Sequence, residues 1–231
     1  MNLLTDHNQI GGTNILIGSS DSGKTKAMIA IIYEKLYYKL AHKIFIYCIE
    51  DSINYYTEIF LHPILQKKIS IIPFATEENC LAEIQKLKDE QLLLKRKHMR
   101  RKCVVVFDDI IPYMKTKESE NVYIQLASSI RHLYCDVFQL IQYSIYAKTS
   151  TRFNSKVAYI FNTNGFTPAI NLVKSSYFYG DKSLNQYLMN NFTKPYQFFK
   201  VSGSKGYRNT EWFEPVPIYT MKDFLIMFLY H

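Results

Sequence analysis

The sequence is short of the features that mark metal, disulfide, membrane and secretory proteins. Its four cysteines, Cys48, Cys80, Cys103 and Cys135, are far apart, and they show neither C-x-x-C pairs nor a nearby Cys/His ligand set. They read as reduced core residues, which argues against a zinc module or a disulfide scaffold. Nowhere do 18 apolar residues follow one another, so no transmembrane helix is expected and no membrane partner is assigned. The closing apolar run, 224–230, is too short to span a bilayer and reads as a docked helix or strand. The first residues lack a basic start and a long apolar stretch, so no signal peptide is expected. Internal repeats and low-complexity linkers are also missing. Acidic residues are in deficit, 20 against 28 Lys and Arg, for a net charge of +8. That balance favours an anionic partner, nucleotide or nucleic acid before a membrane surface.

What is present is a chain able to fold. At 231 residues, 48% apolar and 15% aromatic, it is long enough for a sizeable core and too hydrophobic to be disordered. We read it as one domain over 1–231, with a nucleotide core of about 10–165 and an extension of about 166–231.

The informative stretch begins at Ile15. Apolar residues lead into Gly18, Ser19, Ser20, Asp21, Ser22, Gly23, Lys24 and Thr25, which meet the spacing G-x-x-x-x-G-K-[ST] in full. Glycines let backbone N–H groups close on phosphate oxygens, and the following helix adds its positive end. Lys24 reaches the outer phosphates, and the Thr25 hydroxyl is offered to Mg2+. Strand, loop and helix occur in the order that this motif needs. Asp21 is unusual, because a carboxylate aimed at phosphates would weaken binding; it is expected to point outward.

The second informative stretch is Cys103-Val104-Val105-Val106-Phe107-Asp108-Asp109. A buried parallel strand delivers its last residues to the carboxyl edge of a sheet, where a phosphate loop also sits. In a nucleotide site Asp108 would hold the Mg2+ shell, and Asp109 would orient or deprotonate the attacking water. The apolar run 136–142 ends in Gln142, an amide suited to reading a γ-phosphate or positioning water. Other strands are expected at 13–17, 44–49, 69–72, 157–161 and 196–201. Helices are expected at 24–40, 77–98 and 119–133, and the segments 167–179 and 183–191 have helical character. The continuous apolarity of the early strands suits a parallel sheet covered on both faces. The fold class is therefore α/β, a P-loop NTPase with a mostly parallel central sheet flanked by helices.

Downstream signals narrow the class. The guanine-reading N-K-x-D and the transporter signature L-S-G-G-Q are absent, and no arginine-rich lid of the small-molecule kinase type follows the paired acids. Consecutive acids after an apolar strand fit hydrolysis better than transfer to a second substrate, so an ATPase using ATP and Mg2+ is the best class. A nucleotide-dependent switch and a small-molecule kinase remain the alternatives.

The series Gly18 to Thr25, Val104 to Asp109, Ile130-Arg131-His132-Leu133, Leu140-Ile141-Gln142 and Thr151-Arg152-Phe153-Asn154 resembles a known family. It is similar to the DNA-packaging ATPases of large eukaryotic DNA viruses and virophages, within the FtsK/HerA superfamily, and the similarity runs over roughly 13–161. The Arg-His, Gln and Arg-x-Asn series is the discriminating part. The resemblance implies a RecA/FtsK-like fold and a homo-oligomeric ring, pentamer or hexamer, that threads double-stranded DNA into a preformed capsid. Capsid or portal-vertex proteins would be partners, in the virion or in the host-cell cytoplasm and viral factory. It also implies an arginine reaching the neighbouring subunit's γ-phosphate, with Arg131 the first choice and Arg152 the second. Another DNA pump or helicase of the same superfamily is the nearest enzyme alternative. Two basic segments are candidates for sequence-independent phosphate contact: the run 95–102, and 200–208, read as a mobile loop or as a basic hairpin turn.

Overall fold

The computed structural model describes residues 12–99, 101–118, 121, 132–142, 155–161, 196–202, 209–213 and 216–230. Within them eight strands form one sheet: β1 Gly12–Ile17, β2 Lys43–Cys48, β3 Ile69–Pro73, β4 Cys103–Asp108, β5 Cys135–Ile141, β6 Ser155–Phe161, β7 Phe198–Ser202 and β8 Asn209–Phe213. Their spatial order is β3-β2-β4-β5-β1-β6-β7-β8. The first six in that order pair in parallel, while β7 and β8 add antiparallel to the β6 edge.

The expected parallel sheet is thus present, and its cause is visible in the burial. β1, β4 and β5 are buried at every position, as strands covered on both faces must be. Alternate residues serve opposite faces. Leu16, Val104, Val106 and Phe138 pack under helix α1, Lys24–Tyr37, through Ala27, Met28 and Ile31. Ile15, Ile17, Val105, Phe107, Val137 and Ile141 pack on the other face with Cys80, Ile84 and Leu87 of the helix that follows β3.

The helices stop where local chemistry stops them. Helix α1 ends at Tyr37 rather than running on to residue 40, because Lys39 takes a left-handed φ of 54°. Helix α2, Glu50–Phe60, and the single turn α3, Pro63–Gln66, are separated at Pro63, which opens the second. Helix α4, Glu77–Arg96, is capped by Thr76, whose Oγ1 accepts from the Asn79 N–H at 3.2 Å. Glu77 and Glu78 in its first turn and Lys95 and Arg96 in its last match the helix dipole. The terminal apolar run belongs to a helix, α5, Met221–Tyr230. It docks through Phe224, which meets Phe60 and Tyr33 edge-on at 5.0 and 5.3 Å. No helix among the described residues is long and apolar enough to cross a membrane.

The four cysteines are free and buried. Cys103 and Cys135 face each other across β4 and β5 with their sulfurs 2.8 Å apart. Two expectations change. The strand expected at 196–201 begins at Phe198, and a further strand, β8, follows at Asn209–Phe213, where the sequence reading assigned no element. Lys200 therefore belongs to β7, not to a mobile loop. It is 5% exposed, with its ammonium 5.9 Å from the Phe213 ring, so it does not reach for a nucleic-acid backbone. The helices suggested at 167–179 and 183–191, and nearly all of 119–133, lie outside the described residues.

Candidate active site

Three strand ends are tied together at the carboxyl edge of the sheet. β1 stops at Ile17, and the Gly18 N–H donates to the Ile141 carbonyl of β5 at 3.2 Å. β4 stops at Asp108, and the Asp109 N–H donates to the neighbouring β5 carbonyl, Leu140, also at 3.2 Å. Since β5 lies between β1 and β4, Gln142 emerges between the glycine loop and the acids.

The loop is shaped by its glycines. A Cβ on Gly18 would stand 2.4 Å from Ser22 Oγ and 2.7 Å from Phe161 Cβ, closer than atoms approach. Gly23 caps α1 with φ 99°, a conformation that side chains disfavour. No side chain accepts from the first amides of α1 at this cap, which leaves the helix its ordinary complement of N–H donors for an anion. Asp21 also turns left-handed, with φ 56°, and is exposed on the rim of the cavity. Lys24 is 5% exposed and folds back on the loop, donating from Nζ to the carbonyls of Gly18 at 2.9 Å and Ser19 at 2.8 Å. Burial lowers its pKa from the ordinary lysine value, against the opposing pull of Asp109, Asp108 and Asp21.

The two acids diverge, as successive residues at a strand end do. Asp108 is 1% exposed and turns toward α2. One oxygen accepts from the Tyr56 hydroxyl at 2.8 Å, and the Ser52 hydroxyl donates to the same carboxylate. Burial, reinforced by the charge of Asp109, pushes the Asp108 carboxyl up to about 6, while Tyr56, Lys24 and Ser52 pull it down. Asp109, at φ 53°, is half-buried, and its Oδ2 accepts from Gln142 Nε2 at 3.2 Å.

These residues open on a cavity of about 460 Å³, a volume suited to a nucleotide-sized ligand. Its wall carries Ser20, Asp21, Ser22, Gly23, Lys24 and Thr25 with Asp109 and Gln142. Gly18 and Ser19 lie beneath it, holding Lys24, and Asp108 stands behind Asp109. Arg131 and Arg152 lie outside the described residues. The basic run 95–102 meets the opposite edge of the sheet, where His42 N–H donates to the Lys102 carbonyl beside the start of β4.

The sequence reading missed part of this wall. Ile49, Asp51, Ser52 and Tyr55, at and after the end of β2, line the cavity, and so does Tyr196. Cys48 pairs with Asp108 in register, so the residues after β2 had to emerge at the same edge. The apolar run ending before Glu50 carried that signal. Tyr196 had none, because its place depends on how β7 returns along β6.

No family model matches the chain, and no curated protein matches it in sequence. Solved structures do match. The genome packaging NTPase B204 from Sulfolobus turreted icosahedral virus 2, in complex with ATP-gammaS, superposes with a TM-score of 0.62 at 13% identity, over 90% of this chain and all of that one. The chain has the fold of a P-loop ATPase. The pCW3 conjugation coupling protein TcpA matches with a TM-score of 0.60 at 13% identity, over 88% of this chain and 59% of that chain. ATPases 2 and 3 of EssC from Geobacillus thermodenitrificans match with a TM-score of 0.59 at 11% identity, over 87% and 39%. The resemblance to packaging and FtsK/HerA-type ATPases is therefore structural as well as a matter of motifs.

Within this P-loop fold the wall residues divide by chemistry. A cluster of backbone amides and Lys24 sits at the centre, and carboxylate and amide groups sit at the β4–β5 end. The aromatic Tyr196 stands beyond Gly23 on the other side.

Proposed function

We propose that the protein is an ATP-hydrolysing DNA translocase that packages double-stranded DNA into a preformed capsid. The observation that carries this reading is the full-length structural likeness to a genome packaging NTPase, 90% of this chain against all of the other. The likenesses to the coupling protein and to EssC leave large parts of those chains unmatched. The net charge of +8 suits a polyanionic substrate whose sequence is not read.

The roles follow from position. Gly18 to Thr25 wrap the phosphates, and Lys24 exchanges its two carbonyl acceptors for phosphate oxygens. Asp109 is the carboxylate that takes up the proton of the attacking water, and Gln142 fixes its orientation and faces the γ-phosphate. Thr25 and Asp108 would hold Mg2+. The donor set fits that ion in its chemistry, a hydroxyl and a carboxylate, both oxygen. Mg2+ at nucleotide sites is held by one or two protein groups with the phosphates supplying the rest. When bound, it would neutralise charge on the phosphoryl oxygens.

Arg131 is assigned to the neighbouring subunit's γ-phosphate in a ring, with Arg152 as the second choice.

Steady-state ATPase with and without double-stranded DNA, alongside the mass of the assembly, tests the proposal. DNA-stimulated turnover by a ring is expected. Slow turnover indifferent to DNA, in a monomer, would point instead to a nucleotide-dependent switch.

A further inference from the structure

We propose that Tyr196, seated by Lys26 and Gly23, is the wall on which the purine base of the nucleotide stacks. This rests on the reading of the cavity as an ATP site and adds the end of it that no motif marks.

The direction of the nucleotide follows from the sheet. The groups able to act on a γ-phosphate, Asp109 and Gln142, lie at the ends of β4 and β5, and the phosphate loop follows β1. The base must lie beyond the loop on the far side. There the order continues β1-β6-β7. β7 runs antiparallel to β6, with Phe161 facing Phe198, so the start of β7 returns to the carboxyl edge. Tyr196 stands two residues before that start and lines the cavity. β5 and β7 are three strand spacings apart, roughly 14 Å, a span of the order of an extended nucleoside triphosphate.

Three features fix the ring. It packs on the loop itself, since a Cβ added to Gly23 would stand 3.2 Å from Tyr196 Cδ1. The Lys26 ammonium lies 4.7 Å from the ring centroid, a cation–π arrangement that defines the plane of the ring. The Tyr196 backbone adopts φ 65°, which a bulky residue rarely takes, and held strain of this kind gathers at ligand sites. Even so the residue keeps 42% of its surface exposed. A partly exposed aromatic ring on the cavity wall beside a phosphate loop offers stacking to a base without reading its edge.

The test separates base from phosphate. ATP and inorganic tripolyphosphate are titrated by calorimetry into the full chain and into Tyr196→Ala, Tyr196→Phe and Tyr196→Trp. Alanine is expected to weaken ATP by about 5- to 100-fold, the range that loss of base stacking produces, and to leave tripolyphosphate unchanged. KM for ATP rises while kcat stays within about two-fold, and phenylalanine stays near wild type. In Tyr196→Trp, ATP quenches the new indole emission and tripolyphosphate does not. Equal weakening of both ligands by alanine would make the ring a support for the loop and overturn the proposal. Unchanged ATP binding by alanine, or no quenching in the tryptophan variant, would overturn it as well. Wild-type protein that binds neither ligand would overturn the nucleotide reading and this proposal together.

Discussion

Gln142 Nε2 donates to Asp109 Oδ2 at 3.2 Å, joining the residue after β5 to the residue after β4 on the cavity wall. The bond engages one carboxylate oxygen and sets the plane of the other, which is what a base acting on a positioned water requires. Asp109→Asn is therefore expected to keep ATP binding and to lose turnover by roughly 100-fold or more, the scale of a missing general base. Gln142→Ala leaves the base in place but unheld, so a smaller loss, about 10-fold, is expected. Single-turnover phosphate release, with nucleotide binding measured in parallel, checks both. Full activity of Asp109→Asn would remove Asp109 from the chemistry.

Lys24→Ala removes the only cation that the loop holds inside itself among the described residues, where Nζ reaches the Gly18 and Ser19 carbonyls. ATP binding is expected to disappear from a calorimetric titration while far-UV circular dichroism keeps its native shape. Retained binding would mean that the loop is not a phosphate site.

Asp108 gives a pH dependence with a definite sign. Its carboxyl is raised from 3.8 to about 6, so the native state holds a proton that the unfolded chain releases. The cost to stability is complete above about pH 6 and fades as pH falls toward 4. A shift of about two units corresponds to roughly 3 kcal/mol. Asp108→Asn keeps an oxygen for Tyr56 and Ser52 without the buried charge. Metal-free Asp108→Asn is expected to be more stable than wild type at pH 7.5, with the gap closing by about pH 4. Urea unfolding of both proteins across that range measures it, and a gap that does not change with pH would contradict the assignment.

Arg131→Ala is expected to abolish ATPase activity of the assembled state. Mixing it with Lys24→Ala subunits, which keep the arginine, should restore part of the activity, because an arginine acting across an interface can be supplied by a neighbour. Absence of rescue in rings shown to be mixed would argue against action in trans.

The parts legible in the sequence were those fixed by local chemistry. The spacing from Gly18 to Thr25 specified a loop because only glycine fits against Ser22 and Phe161 or adopts φ 99°. The run Val104 to Phe107 specified a doubly covered strand because every position had to be apolar. What was hidden is what tertiary structure brings in from elsewhere. Tyr56 reads as one more apolar residue of α2, yet its hydroxyl reaches Asp108, 52 positions away. Lys200 reads as part of a basic loop, yet pairing with β6 buries it. Tyr196 reaches the cavity only because β7 reverses direction.

The placement of β5 has a mechanical consequence. Consecutive carbonyls near its end, Leu140 and Ile141, hold the first amide after each of its two neighbours, Asp109 and Gly18. The glycine loop and the carboxylate of Asp109 thus hang from one short beam, and a displacement of the end of β5 would reach both through two peptide units.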